Sequence, residues 1–184
     1  FHLREDVTFS DGTPFSADTA AFSIDYVTQH WTNGLKKQMD AVKTARAVDP
    51  HTLVVTLHAP DPDWLWSMGT LTGAMMAPAS IDRLSTDPLG TGPYRVASFR
   101  VGEAITFHAR DDYWGGTVAR DAAIRYFDDS TAAVNALRTG DADVVWAMQA
   151  PQLLGALPDD ITVDIGTTNG EVLFSMNNNR APFD

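Results

Sequence analysis

Gly90-Thr91-Gly92-Pro93-Tyr94, followed further along the chain by Asp111-Asp112-Tyr113-Trp114-Gly115-Gly116, is the part of the sequence that decides the fold. Two glycines and a proline are typical of a turn, because glycine permits positive φ and proline fixes φ near about −65°. This turn opens a strand over 90–99, and Val101-Gly102 returns the chain into a second strand over 104–109. The sequence therefore predicts a β-hairpin that runs into an aromatic and glycine-rich corner.

Cap and turn signals divide the rest of the chain into short helices and strands. Ser16 is the expected N-cap of a helix that ends near His30, and Ser130 that of a helix that Gly140 ends. Other helical pieces are expected over 35–39, 63–68, 78–84 and 151–157, and other strands over 7–9, 42–48, 52–57, 123–127, 144–146, 161–165 and 171–176. The strand 144–146 and the ring of Trp114 are expected to be buried.

Three further motifs stand in a fixed order around the hairpin. They are FHLREDVTFSDGTPF at 1–15, ALRTGDADV at 136–144, and LFSMN at 173–177 with APF at 181–183. Together with the hairpin and its corner, they resemble the solute-binding proteins of the peptide/nickel class of bacterial ABC importers, family 5. The resemblance covers essentially the whole chain.

The resemblance implies a fold and a division of the chain. The expected class is mixed α+β, an incomplete lobe of the type II periplasmic-binding-protein kind. Residues 1–120 would form an accessory β-rich subdomain with the rim of the cleft. Residues 121–184 would form part of the central α/β lobe ending near the hinge. We therefore expect a fragment of the first lobe, without the lobe that closes over the ligand.

Composition excludes several function classes. The formal net charge of −11 disfavours nucleic-acid binding, which needs a basic surface. Hydrophobic residues make up 44% of the 184 residues, which indicates a folded domain. The absence of cysteine excludes disulfides and thiolate metal sites within these residues.

Catalytic and metal patterns are weak in this sequence. The five histidines include none in a Gly-x-Ser-x-Gly or His-Glu-x-x-His context. The paired aspartates flank turns and caps, where a carboxylate accepts backbone hydrogen bonds, and Asp141 with Asp143 is the least implausible metal pair. We assign no catalytic residue, metal or cofactor.

Two loops are the best candidates for a ligand site. The resemblance implies that loop 30–37 faces the cleft, and it combines an aromatic ring, an amide and two cations in Trp31, Asn33, Lys36 and Lys37. Against this, Trp31 packing on the fold and solvated lysines explain the loop about equally well. The resemblance also implies that segment 68–75 passes close to the ligand.

Within segment 68–75 we select Thr72 and Gly73. Some nickel-chelate binders of the family carry an arginine in this loop, so its absence argues against a chelate, and a compact buried loop is the competing interpretation. A third segment, 146–151, follows a predicted strand end, where clefts form in α/β lobes. Trp146 and Gln149 are its candidates, and a core position for Trp146 is the alternative.

The resemblance implies an extracytoplasmic solute-binding component of an ABC importer. It would capture a peptide or other small polar solute and deliver it to a membrane permease, as a monomer when intact. We expect it in the periplasm or at the cell surface, either free or lipid-anchored. The alternatives are a secreted carbohydrate-binding or glycoside-hydrolysing module, a solute sensor, and a nickel or metallophore-chelate binder on the same fold.

Overall fold

The computed structural model describes residues 1–118, 120–146, 148 and 150–166. Contacts divide the chain into two compact units, Phe1–Tyr126 and Phe127–Asp184. Helices and strands are mixed in the described part, which confirms the predicted α+β class. The predicted assignment of 1–120 to an accessory subdomain and 121–184 to the central lobe stays a prediction.

The described elements are mostly short. The α-helices are α1 (Ala17–His30), α2 (Trp64–Met68) and α3 (Ser130–Thr139). The 3-10 helices are η1 (Gly34–Met39), η2 (Leu71–Gly73), η3 (Pro78–Arg83) and η4 (Pro151–Ala156). The strands are β1 (Val42–Asp49), β2 (Thr52–Leu57), β3 (Tyr94–Arg100), β4 (Ala104–Ala109) and β5 (Ala122–Arg125).

Helix α1 begins where the sequence predicts. Ser16 is extended and its side chain accepts from the Thr19 amide, while the Thr19 hydroxyl accepts from the Ser16 amide at 2.9 Å. This capping box satisfies two backbone donors that a helix start leaves free. The buried face of α1 includes Ala20, Ile24 and Val27, at helical spacing.

The core of the first unit lies between α1 and the hairpin of β1 and β2. These strands pair antiparallel, which confirms the predicted hairpin, and Leu53 and Val42 turn inward. Phe1 lies along the outer edge of β2: the backbone nitrogens of Phe1 and Leu53 each donate to the other residue's carbonyl, at 2.8 and 3.0 Å. Trp64, Met39 and Met76 close the core from the following segments.

A second sheet contains β3, β4 and β5 in that order, all antiparallel. The predicted second hairpin is confirmed, with β3 starting at Tyr94 directly after the Gly-Thr-Gly-Pro stretch. Gly102, at φ 75°, sits in the turn between β3 and β4. A positive φ does not explain why glycine occurs at positions 90 and 92, since neither Gly90 nor Gly92 adopts one.

What the Gly90–Pro93 stretch supplies is carbonyl oxygens for one buried arginine. Arg110 is 4% exposed and its guanidinium donates to the carbonyls of Thr8, Phe9, Gly90 and Gly92, at 3.1 to 3.4 Å. It also pairs with the Asp112 carboxylate at 3.0 Å. Arg110 therefore links residues 8–9, the Gly90–Pro93 stretch and the aromatic corner. The predicted strand over 7–9 is wrong, because Thr8 forms only an isolated bridge with Pro14 there.

The expectation that Trp114 is buried is wrong. Its ring is 39% exposed, its indole Nε1 donates to the Thr91 carbonyl at 3.0 Å, and the Arg4 guanidinium lies 4.9 Å from the ring centroid. The polar edge of the indole finds a partner in the loop, so the ring lies on the corner instead of inside it.

The second unit corrects three predictions, which are the N-cap of α3 and the strands over 144–146 and 161–165. Asp129, whose carboxylate accepts from the Ala132 amide at 2.8 Å, caps α3, and Ser130 is its first helical residue. Gly140 ends α3 at φ 76°, as predicted. Residues 144–146 and 161–165 are not strands, and Val144 and Trp146 are 74% and 91% exposed, because no described segment pairs with them. The predicted strand 171–176 lies outside the described residues.

Candidate functional site

The two loops selected from the sequence meet in the structure. Gln38, in η1, receives a hydrogen bond from the Thr72 hydroxyl in η2, and the Thr70 hydroxyl lies 3.3 Å from the same side-chain oxygen. The Thr72 hydroxyl also lies 3.4 Å from the Leu35 carbonyl. We call the surface formed by 31–38 and 64–73 the rim. Sequence reasoning missed Gln38, whose signal would have been a polar residue next to the buried Met39.

Trp31 has two roles at the end of α1. Its backbone amide donates to the Val27 carbonyl at 3.2 Å, which caps the helix, and its half-buried ring packs against the core of the first unit. The exposed Asn33 caps η1, because its side-chain oxygen accepts from the Leu35 amide at 3.0 Å. Both residues therefore hold the loop in shape, and a ligand contact from either of them stays a prediction.

The two rim lysines differ in availability. Lys36 pairs with the Asp40 carboxylate at 2.8 Å, one helical turn away, which compensates its charge. Lys37 is exposed and forms no ion pair with any described residue. Of the two predicted cations, Lys37 is the one whose charge is free to attract an anion.

Thr72 and Gly73 are packed inside the rim. Thr72 is 1% exposed, with its hydroxyl bonded to Gln38. A Cβ added to Gly73 would collide with the Met68 carbonyl, so the backbone of η2 approaches α2 more closely than any other residue would permit. The competing interpretation, a compact buried loop, describes these two residues in this structure, and a ligand role for them is a proposal.

Large apolar side chains stand exposed beside this packed loop. Trp66, Leu65 and Leu71 are 82%, 63% and 74% exposed. In a five-residue helix, positions 64 and 66 point in opposite directions, so burial of Trp64 forces Trp66 outward. The Trp-x-Trp spacing is the signal for this exposed ring, whereas the sequence analysis predicts only a helix over 63–68. Clustered exposed apolar side chains are typical of interaction surfaces.

The third candidate segment belongs to the second unit. Trp146 is almost fully exposed there, which does not fit the alternative core position. Gln149 lies outside the described residues. A contribution of either residue to the ligand site stays a prediction.

Hydrogen bonds or burial shift the pKa values of several carboxyl groups in the first unit. The Arg110 guanidinium, followed by weaker contributions, holds the pKa of Asp112 below its ordinary value. The Ala109 amide and His108 lower the pKa of Asp121, whose carboxylate lies 2.8 Å from the His108 ring. Burial raises the pKa of Asp25 on α1. These three carboxyl groups lie outside the rim, so their pKa shifts do not point to a ligand site there.

The part of the chain that the structure describes contains neither a metal-binding cluster nor a membrane-spanning helix. Within it, His, Asp and Glu form no group of three or more that could hold a metal ion. Among the same residues, each helix is too short or too polar to cross a bilayer.

The sequence pattern of bacterial extracellular solute-binding proteins, family 5 (middle), matches residues 1–184. The chain belongs to this family. It is 29% identical over 188 residues to the probable ABC transporter periplasmic-binding protein SapA of Escherichia coli K12, covering 87% of this chain and 34% of SapA. It is 33% identical over 145 residues to the putative ABC transporter peptide-binding protein BOV_A0352 of Brucella ovis, covering 71% of this chain and 27% of that protein.

A solved structure gives the same result for the fold. NikZ from Campylobacter jejuni, crystallised in complex with Ni(L-His), superposes with a TM-score of 0.69 at 26% identity over 76% of this chain and 30% of NikZ. The family-5 chain therefore has the fold of a partial lobe of a type II periplasmic binding protein, as predicted. It spans about a third of the length of these relatives. The family and these relatives are solute-binding proteins, which confirms the expectation that the chain is not an enzyme. The glycoside-hydrolysing alternative does not fit this family.

Proposed function

We propose that the full-length protein is the extracytoplasmic solute-binding component of an ABC importer and that the rim forms part of one wall of its ligand site. The observation that carries the proposal is the family match over the whole chain, which includes both rim loops. In this fold class, a ligand is buried when two lobes close around it, and closure distinguishes the loaded from the empty protein. The permease would recognise the closed form.

The proposed ligand is a peptide with a free carboxylate and at least one apolar side chain. Lys37 offers an uncompensated positive charge, and the exposed ring of Trp66 stands on α2, which contacts η1. Charge-assisted contacts orient a carboxylate, while aromatic faces bury apolar groups without reading their identity. The name of the Brucella ovis relative, a putative peptide-binding protein, supports this class.

A nickel–histidine chelate is the second candidate. NikZ holds Ni(L-His), and its identity with this chain reaches 26%. Such a complex carries carboxylate groups, so Lys37 would suit it as well. A direct comparison of the two ligands is therefore required.

The test is calorimetry on the purified full-length protein with apolar tripeptides, the same tripeptides amidated at the C-terminus, and Ni²⁺ with L-histidine. We expect binding of the free-acid tripeptides and weaker binding of the amides. Lys37→Ala should weaken the free-acid peptides by about 1.5–3 kcal/mol, which is the range for hydrogen bonds to charged groups, and leave the amides unchanged. Lys43→Ala, an exposed lysine on β1, is the matched control.

Binding of Ni²⁺ with L-histidine but not of peptides would replace the peptide proposal by the chelate. Equal losses in Lys37→Ala and Lys43→Ala would remove the rim from the ligand site. Uptake of a labelled ligand by cells with and without the gene separates an importer from a solute sensor on the same fold. Fractionation of those cells shows whether the protein is lipid-anchored, and gel filtration tests the expected monomer.

A further inference from the structure

The rim contains an asparagine that is followed directly by glycine, Asn33-Gly34. In such a pair the backbone nitrogen after the asparagine can attack the asparagine side chain, because glycine has no Cβ to obstruct the approach. Both residues are exposed, and a Cβ added to Gly34 would meet open space. The fold therefore leaves room for this reaction at the surface of the rim.

The two groups that would react are available in the structure. Gly34 is the first residue of η1, so its amide has no partner inside the helix, and among the described residues it has no other acceptor. The side-chain oxygen of Asn33 accepts from the Leu35 amide at 3.0 Å. That donor stabilises the negative charge that develops on this oxygen when the adjacent carbon is attacked.

We propose that Asn33 is a modification site that deamidates without an enzyme. The Gly34 nitrogen, which loses its proton to hydroxide, bonds to the side-chain carbon of Asn33, and ammonia leaves after taking a proton from water. The succinimide ring that results then takes up one water molecule. Water breaks the bond from the ring nitrogen to the side-chain carbon, which gives aspartate, or the bond to the main-chain carbon, which gives isoaspartate. The net change is one water consumed and one ammonia released.

Either product places a carboxylate in the rim. The Lys36 amide donates to the Asn33 carbonyl at 3.2 Å, so the new charge lies within one turn of Lys36 and close in sequence to Lys37. A carboxylate there opposes the positive charge that Lys37 offers to a ligand. Deamidation should therefore weaken the binding of free-acid peptides as the protein ages. This consequence rests on the proposed function, whereas the modification itself does not.

Asn135 is an internal reference for the reaction. It is also exposed, but it lies within α3 and is followed by the buried Ala136. The amide of a residue inside a helix is held by a carbonyl one turn earlier, and alanine adds a Cβ beside the nitrogen. Asn135 should therefore stay unmodified in the same molecules in which Asn33 reacts.

The test is peptide mapping by mass spectrometry on the purified full-length protein during storage. The tryptic peptide from Glu5 to Lys36 contains a single asparagine, Asn33, and should gain about one dalton, because an amide NH2 is replaced by a carboxylate oxygen. The peptide with Asn135 should not change. The chain also contains Asn169-Gly170, outside the described residues, so the masses are read on peptides and not on the intact protein. The rate at Asn33 should rise about tenfold from about pH 7 to about pH 8, as the deprotonated fraction of the attacking amide does.

Gly34→Ala is the matched variant, since its Cβ hinders the attack while it meets open space in the fold. We expect the deamidation of Asn33 to be several-fold slower in this variant. Equal rates in the native protein and Gly34→Ala would overturn the proposal. A mass gain that appears only after the protein is unfolded in urea would overturn it as well, because the fold would then protect Asn33.

Calorimetry tests the effect on the rim. Asn33→Asp should bind the free-acid tripeptides about two- to fivefold more weakly than the control Asn33→Ser, which keeps a capping side chain without a charge, and both should bind the amidated tripeptides equally. Equal affinities of the two variants for the free acids would overturn the charge effect. If neither the native protein nor these variants bind any tripeptide, the proposed peptide ligand fails, and the mass measurement still decides whether Asn33 is modified.

Discussion

Replacement of Arg110 by methionine tests whether the buried guanidinium organises the first unit. Arg110 is 4% exposed, and the substitution removes its bonds to the carbonyls of Thr8, Phe9, Gly90 and Gly92 while keeping an apolar stem of similar length. An orphaned buried acceptor costs about 1–3 kcal/mol. Some of these carbonyls reach water after the change, so we expect a total loss of about 3–5 kcal/mol, the range for breaking a buried charged network.

The assay is native-state hydrogen exchange of the Ser10 amide, which donates to the Gly90 carbonyl at 2.9 Å and so reports on the joint that Arg110 holds. A loss of 3–5 kcal/mol corresponds to about a hundredfold to several-thousandfold faster exchange, since each 1.4 kcal/mol is a factor of ten. Arg110→Lys keeps the charge but loses the planar guanidinium, so its Ser10 amide should exchange at a rate between those of the native protein and Arg110→Met. The matched control is Arg100→Met, because Arg100 pairs with Glu103 in an exposed position at 2.8 Å. If Arg110→Met exchanges no faster than Arg100→Met, the carbonyls do not depend on Arg110 and the reasoning fails.

Two further predictions concern the rim and the acid response. Gly73→Ala forces a collision with the Met68 carbonyl and should lower the free energy of unfolding by about 1–3 kcal/mol, measured as a lower Tm. The control Gly34→Ala meets open space and should leave the Tm nearly unchanged. Equal Tm values for the two variants would show that η2 can relax around the added methyl group. The pKa of Asp112 is lowered in the folded state by Arg110, so its stabilising effect is present above the ordinary aspartate pKa of about 3.9 and is lost as pH falls through the lower folded value. The Tm difference between the native protein and Asp112→Asn should therefore shrink between pH 5 and pH 2, and a difference that stays constant would contradict this assignment.

Local chemistry explains which parts of the fold the sequence predicted. Ser16 with Thr19, and Gly140 after α3, fix helix ends through bonds within a few residues, so their patterns are readable without the tertiary structure. The hairpin β3–β4 is equally local. By contrast, the extended pattern over 144–146 depends on a partner strand elsewhere, and no described segment supplies one. The same limit applies to Trp114, whose position is set by Thr91 and Arg4, far away in sequence.

In the candidate site, too, contacts between residues distant in sequence decide what the sequence alone does not predict. The family resemblance, together with their residue types, selects loops 30–37 and 68–75 as candidates, and the structure joins them through Gln38, which neither argument selects. It also separates two adjacent lysines that composition treats alike, because only Lys36 has a carboxylate at 2.8 Å. Specificity in a binding protein rests on such differences, since a compensated charge contributes little to a ligand while a free one steers and orients it. The value of the structure for this family-5 chain is therefore in deciding, among residues of the right type, which side chains are already engaged by the fold and which remain available to a ligand.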